Sequence, residues 1–160
     1  PGSTIGNLAP DEAVEFLVNA RHLLGEGAKF LIGADMVKSP DVLVAAYDDA
    51  DGVTAQFNLN LLTRLNRELD ADFDLARFEH RAIWNAKAAR IEMHLVSGLD
   101  QMVRVAGRRF AFKTGETIHT ENSHKFTPET IAALAARSGW RVERTWISGE
   151  PRFGLFLLAA

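Results

Sequence analysis

A carboxylate and a hydroxyl lie two residues apart in the segment 120–125, which reads TENSHK. On extended backbone, side chains at i and i+2 point to the same side, so Glu121 and Ser123 would face one ligand. Together they offer a hydrogen-bond acceptor and a hydroxyl, which suit the two nitrogens of an imidazole. A polar turn in contact with solvent is the alternative, and the segment by itself favours that interpretation.

A second candidate is Asn7, which ends the loop-like segment GSTIGN at residues 2–7. Glycines and small hydroxyls before a helix let a ligand approach backbone donors closely. The side-chain carbonyl of Asn7 is suited to holding an ammonium group, and equally suited to capping the helix that follows. The segment as a whole is also compatible with a plain connecting loop.

A third candidate is Tyr47, the only tyrosine of the chain, which stands beside Asp48 and Asp49. A phenol can donate a hydrogen bond to the carboxylate of a small molecule. From its position alone, a half-buried amphipathic side chain is the favoured interpretation.

The five histidines form no pattern typical of metal ligands. His119 and His124 are nearest in sequence, but a spacing of five on non-helical chain is not a ligand spacing. His22 falls on a predicted helix, and His80 and His94 fall on predicted strands, where surface or packing roles are the simplest. Walker-type phosphate loops and nucleophile elbows are absent from the sequence. We therefore predict no metal site and assign no catalytic residue.

The elements that position these residues follow from hydrophobic periodicity and turn chemistry. Proline at the first helical position supports three of the four predicted helices, which cover residues 10–24, 40–47, 53–69 and 128–137. The nearly continuous apolar run at 29–35 predicts a strand of the buried parallel kind. Met93 alternates with Ile91 and Leu95 and is predicted to lie in a strand core. Shorter strands are predicted over 78–85, 91–97, 101–106, 109–113, 140–147 and 153–158.

The order of these elements indicates an insertion. An α/β layer is indicated by the loop, helix and strand at the start of the chain, and by the helix and two strands at its end. The middle is different, with helices followed by short strands and glycine turns. We therefore predict that residues 1–36 and about 126–160 form one α/β domain, into which residues 37–125 are inserted as an α+β lobe.

Composition narrows the possible partners. Of the 160 residues, 47% are hydrophobic, which suffices for a folded core, and the formal net charge is −3. Nucleic acid and anionic membranes are poor partners for such a chain, which lacks a basic stripe. Cysteine is absent, so disulfides and thiolate chemistry are excluded. No membrane-length apolar run and no signal peptide are visible, so we expect a cytoplasmic protein.

Several motifs in consistent order resemble those of one known family. They are GSTIGNL at 2–8, AYDDADGVT at 46–54, FN at 57–58, NREL at 66–69, ADFD at 71–74, IEM at 91–93 and TENS at 120–123. This set resembles the histidine-specific methyltransferases, which depend on S-adenosylmethionine. Known members methylate the α-amine of histidine in ergothioneine biosynthesis. The resemblance implies a Rossmann-like class I methyltransferase fold with an inserted substrate-binding lobe.

The resemblance also implies roles for individual residues. Asn7 is similar to the asparagine that holds the substrate amine, and Gly2 to the glycine lining that end of the pocket. Tyr47 is similar to the tyrosine that binds the substrate carboxylate. Glu121 and Ser123 resemble the pair that grips the imidazole. Met93 resembles the methionine beside that ring.

The family's glycine-rich cofactor loop and its ribose and adenine contacts have no counterpart in these 160 residues. We therefore expect the chain to be the C-terminal portion of a methyltransferase whose complete form uses S-adenosylmethionine and histidine. Alone it is expected to be inactive, to bind no cofactor, and to self-associate through uncovered strand edges. The complete protein is expected to be a monomer. A non-catalytic amino-acid-binding module is the competing interpretation.

Overall fold

The computed structural model describes residues 3–160, so the predicted role of Gly2 lies outside the described residues. Within this range the chain forms four α-helices, two short 3₁₀ helices and eight strands. The helices are α1 Pro10–Leu24, α2 Pro40–Tyr47, α3 Val53–Glu68 and α4 Pro128–Arg137, with 3₁₀ helices at Thr4–Asn7 and Leu75–Arg77. The strands are β1 Lys29–Asp35, β2 Phe78–Asn85, β3 Arg90–Ser97, β4 Gln101–Val105, β5 Arg108–Phe112, β6 Thr117–His124, β7 Arg141–Ile147 and β8 Phe153–Ala159.

The helix starts are fixed by local hydrogen bonds. At α4 the Thr130 backbone N–H donates to the Thr127 hydroxyl at 3.3 Å, and the Thr127 N–H donates to the Thr130 hydroxyl at 2.8 Å. At α1 the Glu12 carboxylate accepts from the Ala9 N–H at 2.7 Å. Each contact satisfies a backbone donor that a helix start or its cap would otherwise leave unpaired. These caps explain why the predicted starts at residues 10 and 128 agree with the structure.

The described residues cluster into two compact units. The first unit contains residues 3–42, 85–90 and 122–160, and the second contains residues 43–84 and 91–121. These ranges follow from which residues contact one another in the folded chain, and they do not identify either unit with a known domain. The assignment of residues 1–36, 126–160 and 37–125 to a methyltransferase domain and an inserted lobe remains a prediction.

In the first unit a three-stranded sheet of order β1-β8-β7 packs with helices α1 and α4. The fully buried side chains of Leu17, Ile32 and Phe156 lie in its core. The Trp140 indole N–H donates to the Leu17 carbonyl at 2.8 Å, and the Trp140 ring stacks on Phe30 at 5.7 Å between centroids. The indole thus ties the end of α4 to the middle of α1.

Strand β1 differs from the predicted parallel strand. It pairs with β8 in antiparallel register, from Lys29 opposite Ala159 to Asp35 opposite Phe153. The sequence pattern did not distinguish these cases, because a strand covered on both faces reads as a continuous apolar run in either orientation. The adjacent pair β7–β8 is also antiparallel.

In the second unit, strands β2 and β3 belong to a sheet of order β2-β3-β6, and β4 and β5 form a separate antiparallel hairpin. One core cluster contains Leu62, Phe78 and Leu95 among its buried members. The Asn66 side chain clamps the backbone of Phe73, accepting from its N–H and donating to its carbonyl, each at 2.8 Å. This clamp fixes the chain between α3 and β2.

Most predicted element bounds agree with the structure to within a residue or two. Strand β6 is the exception, because it was not among the predicted strands. Its sequence, TIHTENSH, is mostly polar and lacks the apolar alternation that identifies a half-buried strand.

Among the described residues, no helix is both long enough and apolar enough to cross a membrane.

Two leucines of α1 provide a matched test of this core. Leu17 is fully buried, whereas Leu23 is 87% exposed. We expect Leu17→Ala to lower the free energy of unfolding by about 2–5 kcal/mol, because it removes buried methyl groups and leaves a cavity. Leu23→Ala should stay within about 0.5 kcal/mol of the unmodified protein. Urea denaturation followed by circular dichroism measures both, and equal losses would contradict the described packing.

Candidate functional site

The segment that carries Asn7 is held to strand β1 by backbone and hydroxyl contacts. Asn7 ends the 3₁₀ helix Thr4–Asn7. The Ser3 N–H donates to the Gly33 carbonyl at 2.8 Å, and the Asp35 N–H donates to the Ser3 hydroxyl at 3.1 Å. A side-chain carbon at Gly6 would lie 2.8 Å from the His124 carbonyl, so glycine is needed for this close approach. The 3₁₀ helix therefore has a fixed place in the first unit.

The end of strand β6 carries a buried ammonium beside Ser123. The Lys125 side chain has no exposed surface, and its Nζ lies 3.1 Å from Asp35 Oδ2. The same Nζ donates to the Ser123 hydroxyl at 2.7 Å. The other Asp35 oxygen, Oδ1, accepts from Lys38 Nζ at 2.5 Å. Ser123, which is 5% exposed, is thus held by a charged network.

In the second unit, Tyr47 ends helix α2 and its backbone carbonyl is bound by His80. The His80 Nε2 lies 2.7 Å from the Tyr47 oxygen, and its Nδ1 lies 2.9 Å from the amide nitrogen of Asn58. Since an amide N–H donates, His80 Nδ1 must accept and Nε2 must donate to the carbonyl. Asn58 is 1% exposed, so this chain of contacts links the end of α2 to the interior.

Met93 and Tyr47 pack in the same hydrophobic cluster of the second unit. Met93 is buried at 4% exposure beside Ile91 and Leu43, and Tyr47 packs against this cluster with part of its surface exposed. The predicted strand-core position of Met93 is therefore correct. The structure brings together two of the residues to which the resemblance gives a role.

Helix α3, which follows Tyr47 in the chain, is capped by Asp49. The two carboxylate oxygens of Asp49 accept from the Val53 N–H at 3.0 Å and from the Thr54 N–H at 2.8 Å. Hydrogen bonds from Thr54, and then from Val53, lower the pKa of Asp49 from 3.8 to about 2. The sequence did not single out this aspartate, although an Asp before a predicted helix is a typical cap signal.

Glu121 lies on β6, two residues before Ser123, with part of its surface exposed. Its backbone carbonyl lies 3.2 Å from His119 Nε2. The extended backbone that the ligand interpretation requires is thus present, and the polar turn that the segment by itself favoured is not. The roles of Glu121 and Ser123 in binding a ring remain predictions.

Glu92, His94 and His119 form a cluster that sequence spacing did not indicate. One potential ligand atom from each lies within 4.8 Å of the others, and His94 Nε2 lies 3.4 Å from Glu92 Oε2. The two imidazoles are stacked, 4.6 Å apart and only 24° from parallel. A metal ion bound to two imidazoles lies near both ring planes, and such nearly parallel planes do not meet close to the nitrogens. The observed arrangement is therefore a stacked pair of imidazoles beside a carboxylate, and the absence of a metal site remains a prediction.

A cavity of about 290 Å³ in the first unit has a mostly apolar lining, to which Ile5, Leu8 and Leu134 contribute. His124 also lines it, and burial together with the charge of Arg90 lowers the pKa of that imidazole. The ring is therefore neutral at pH 7. His124 and Lys125 both line this cavity, so it lies at the polar end of β6 that carries Ser123.

Sequence reasoning missed the supporting residues Asp35, His80, Asn58 and Lys125. One signal was available for Lys125, because a lysine that follows a predicted ring contact at i+2 faces the same side on extended chain. The contacts Asn58–His80, His80–Tyr47 and Asp35–Lys125 join residues between 22 and 90 positions apart. Without the fold, nothing in the sequence relates positions so far apart.

A family model described as histidine-specific, S-adenosylmethionine-dependent methyltransferase matches residues 1–160. The match places the chain among the S-adenosylmethionine-dependent methyltransferases. More narrowly, the chain belongs to the histidine-specific methyltransferase family, which confirms the resemblance noted in its motifs. The α/β class predicted for it is also confirmed, with helices and strands mixed along the chain.

Two relatives and one solved structure are similar over nearly the whole chain. Histidine N-alpha-methyltransferase of Mycolicibacterium smegmatis is 49% identical over 158 residues, which are 98% of this chain and 49% of that protein. Ergothioneine biosynthesis protein 1 of Neurospora crassa is 29% identical over 162 residues, covering 99% of this chain and 18% of that protein. The CcbJ methyltransferase of Streptomyces caelestis aligns with a TM-score of 0.49 and 14% identity, covering 99% of this chain and 57% of that one. The chain thus spans about half the length of the first relative.

The cap of α3 gives a pH prediction. Because folding lowers the pKa of Asp49 from 3.8 to about 2, its contribution to stability is complete above pH ~4 and is lost as the pH falls towards 2. Asp49→Ala should therefore lower the midpoint of thermal unfolding at pH 7, and the difference should shrink between pH 4 and pH 2. The exposed Asp51 in the same loop serves as the control, and Asp51→Ala should show no such pH-dependent difference. A constant difference for Asp49→Ala across this range would contradict its role as a cap.

Proposed function

We propose that this chain is part of a methyltransferase that transfers methyl groups from S-adenosylmethionine to the α-amine of histidine, giving trimethylhistidine for ergothioneine biosynthesis. The observation that carries the proposal is the match of the family over residues 1–160. The names of the two relatives, a histidine N-alpha-methyltransferase and an ergothioneine biosynthesis protein, support it.

The residue roles in this proposal follow the family resemblance. In the first unit, Asn7 aims the amine and the buried Ser123 contacts the ring. In the second unit, Tyr47 binds the carboxylate, while Met93 and Glu121 contact the ring. The fixed backbone around Tyr47 and Ser123 supports such roles, because ligand-binding groups need side chains held in place by their neighbours.

The glycine and the carboxylate nearest to the candidate site do not suit the binding of S-adenosylmethionine itself. A nucleoside cofactor of this kind needs a glycine turn that the ligand can approach and a free carboxylate for the ribose hydroxyls. Among residues 3–160, Gly6 is covered by the His124 carbonyl and the Asp35 carboxylate is taken by two lysines. We therefore assign no residue of this chain to the cofactor.

Positioning is the main chemical task of the assigned residues. When bound, S-adenosylmethionine supplies an electrophilic methyl group on a sulfonium. Asn7 and Tyr47 would hold the amine and carboxylate so that the nitrogen lone pair points along one line of attack. A strong base is unnecessary, because a free α-amine has a pKa near ~8 and a usable neutral fraction. The cytoplasmic location and the monomeric state expected of the complete protein remain predictions.

Glu121 gives the direct test of this function. In the complete natural protein, with S-adenosylmethionine and histidine present, mass spectrometry should detect mono-, di- and trimethylated histidine. Glu121→Ala should weaken histidine binding by about 10- to 150-fold, since losing a charged hydrogen bond costs about 1.5–3 kcal/mol. The turnover number at saturating histidine should change less. Isothermal titration calorimetry and initial rates measure the two effects separately.

The control variant is Glu79→Ala, which removes an exposed carboxylate on β2 and should leave histidine affinity unchanged. Unchanged affinity in Glu121→Ala would show that Glu121 does not bind the ring. Histidine binding without methylated products would favour the amino-acid-binding module. Neither binding nor methylation of histidine by the unmodified protein would overturn the proposed function.

A further inference from the structure

The side-chain amide of Asn58, on helix α3, has only one orientation that suits its neighbours. Its Nδ2 atom lies 2.9 Å from His80 Nδ1 on β2 and 3.3 Å from the His94 carbonyl oxygen on β3. The reversed amide would place Oδ1 against that carbonyl, and two acceptors cannot form a hydrogen bond. The amino group of Asn58 therefore donates to both neighbours, and His80 Nδ1 accepts.

This contact determines which nitrogen of His80 carries the hydrogen. An imidazole whose Nδ1 accepts a hydrogen bond has its N–H at Nε2. The Nε2 atom lies 2.7 Å from the backbone carbonyl oxygen of Tyr47, to which it donates. Tyr47 is the last residue of α2, and the carbonyls in the last turn of a helix have no partner within that helix. His80 therefore caps the end of α2.

The amide of Asn58 is not explained by stability. Asn58 is 1% exposed, and its Oδ1 is a buried acceptor to which no described residue donates. A buried polar atom without a hydrogen bond destabilises a fold, whereas an apolar side chain of similar volume would not have this cost. The amino group of Asn58 gives the better explanation, because it sets the direction of the hydrogen bond from His80 to Tyr47.

We propose that His80 and Asn58 are positioning residues that act on the substrate through Tyr47. By holding the carbonyl at the end of α2, they fix the point from which the Tyr47 side chain extends towards the cluster that contains Met93. This inference rests on the proposed function, since it takes Tyr47 as a contact of the substrate. It uses only the backbone carbonyl of Tyr47, so it does not depend on the other contacts of that residue.

A double-mutant cycle in the complete natural protein tests whether His80 acts through Tyr47. His80→Phe removes the donor and keeps a planar ring, and Tyr47→Phe removes the hydroxyl. Histidine affinity is measured by calorimetry at pH 8. His80→Phe should weaken binding about fivefold when Tyr47 is present, but less than about twofold in the Tyr47→Phe background. A merely structural role of His80 would weaken binding by the same factor in both backgrounds.

Two further variants separate the hydrogen bond from the packing of the ring. The side-chain amide of His80→Gln can still donate to the Tyr47 carbonyl, so this variant should bind histidine within about twofold of the unmodified protein. The control is His22→Phe, which makes the same replacement as His80→Phe at an exposed position of α1. It should leave histidine affinity unchanged.

Each outcome decides between the possibilities. Equal losses for His80→Phe in the two backgrounds, or a His80→Gln variant as weak as His80→Phe, overturn the inference alone. Unchanged affinity in Tyr47→Phe contradicts the role of Tyr47 in the proposed function and removes the inference with it. Failure of the unmodified protein to bind histidine overturns the proposed function as a whole.

Asn58→Leu replaces His80→Phe in the cycle if His80→Phe does not fold. It removes the donor to His80 together with the unpartnered Oδ1. Its effect on histidine affinity should likewise be smaller in the Tyr47→Phe background, and equal effects in both backgrounds would overturn the inference. The matched control is Asn60→Leu, at an exposed position of the same helix, which should leave affinity unchanged.

Discussion

The pairing of the buried Lys125 ammonium with Asp35 is the constraint on which the polar side of the first unit depends. A buried charge without a partner is very costly, so Asp35 must stand at the end of β1. The backbone of the same residue donates to the Ser3 hydroxyl and accepts from the Phe126 N–H. One residue therefore fixes the segment before α1, the end of β6 and the start of the chain leading to α4.

The helices could be predicted from the sequence because their signals are local. Pro10, Pro40 and the Thr127–Pro128 pair specify starts through the chemistry of a few neighbouring residues. Strand β6 could not be predicted in the same way, because its residues are mostly polar. Its strand conformation depends on pairing within the β2-β3-β6 sheet, and this pairing involves residues far away in the chain. The antiparallel pairing of β1 with β8 could not be predicted either, because the two strands lie far apart in the sequence.

The candidate site could likewise be predicted from the sequence only in part. The types and order of Asn7, Tyr47, Glu121 and Ser123 could be recognised in the sequence, because motifs preserve the groups that contact a ligand. The supporting groups could not be recognised, since His80 reaches the Tyr47 carbonyl, and Asn58 reaches His80, only in the folded chain. Sequence patterns therefore indicated which side chains bear chemistry, and the structure was needed to show what determines their orientation.

The antiparallel pairing of β1 with β8 has a consequence for the order of events during synthesis. The ribosome makes β1 before β8, which lies more than a hundred residues later, and the Leu17–Trp140 hydrogen bond spans a similar distance. The second unit lies within residues 43–121, so all of its strands and helices emerge before the sheet of the first unit can close. Contacts that are closer in sequence form faster. The second unit is therefore expected to fold before β8 is available to pair with β1.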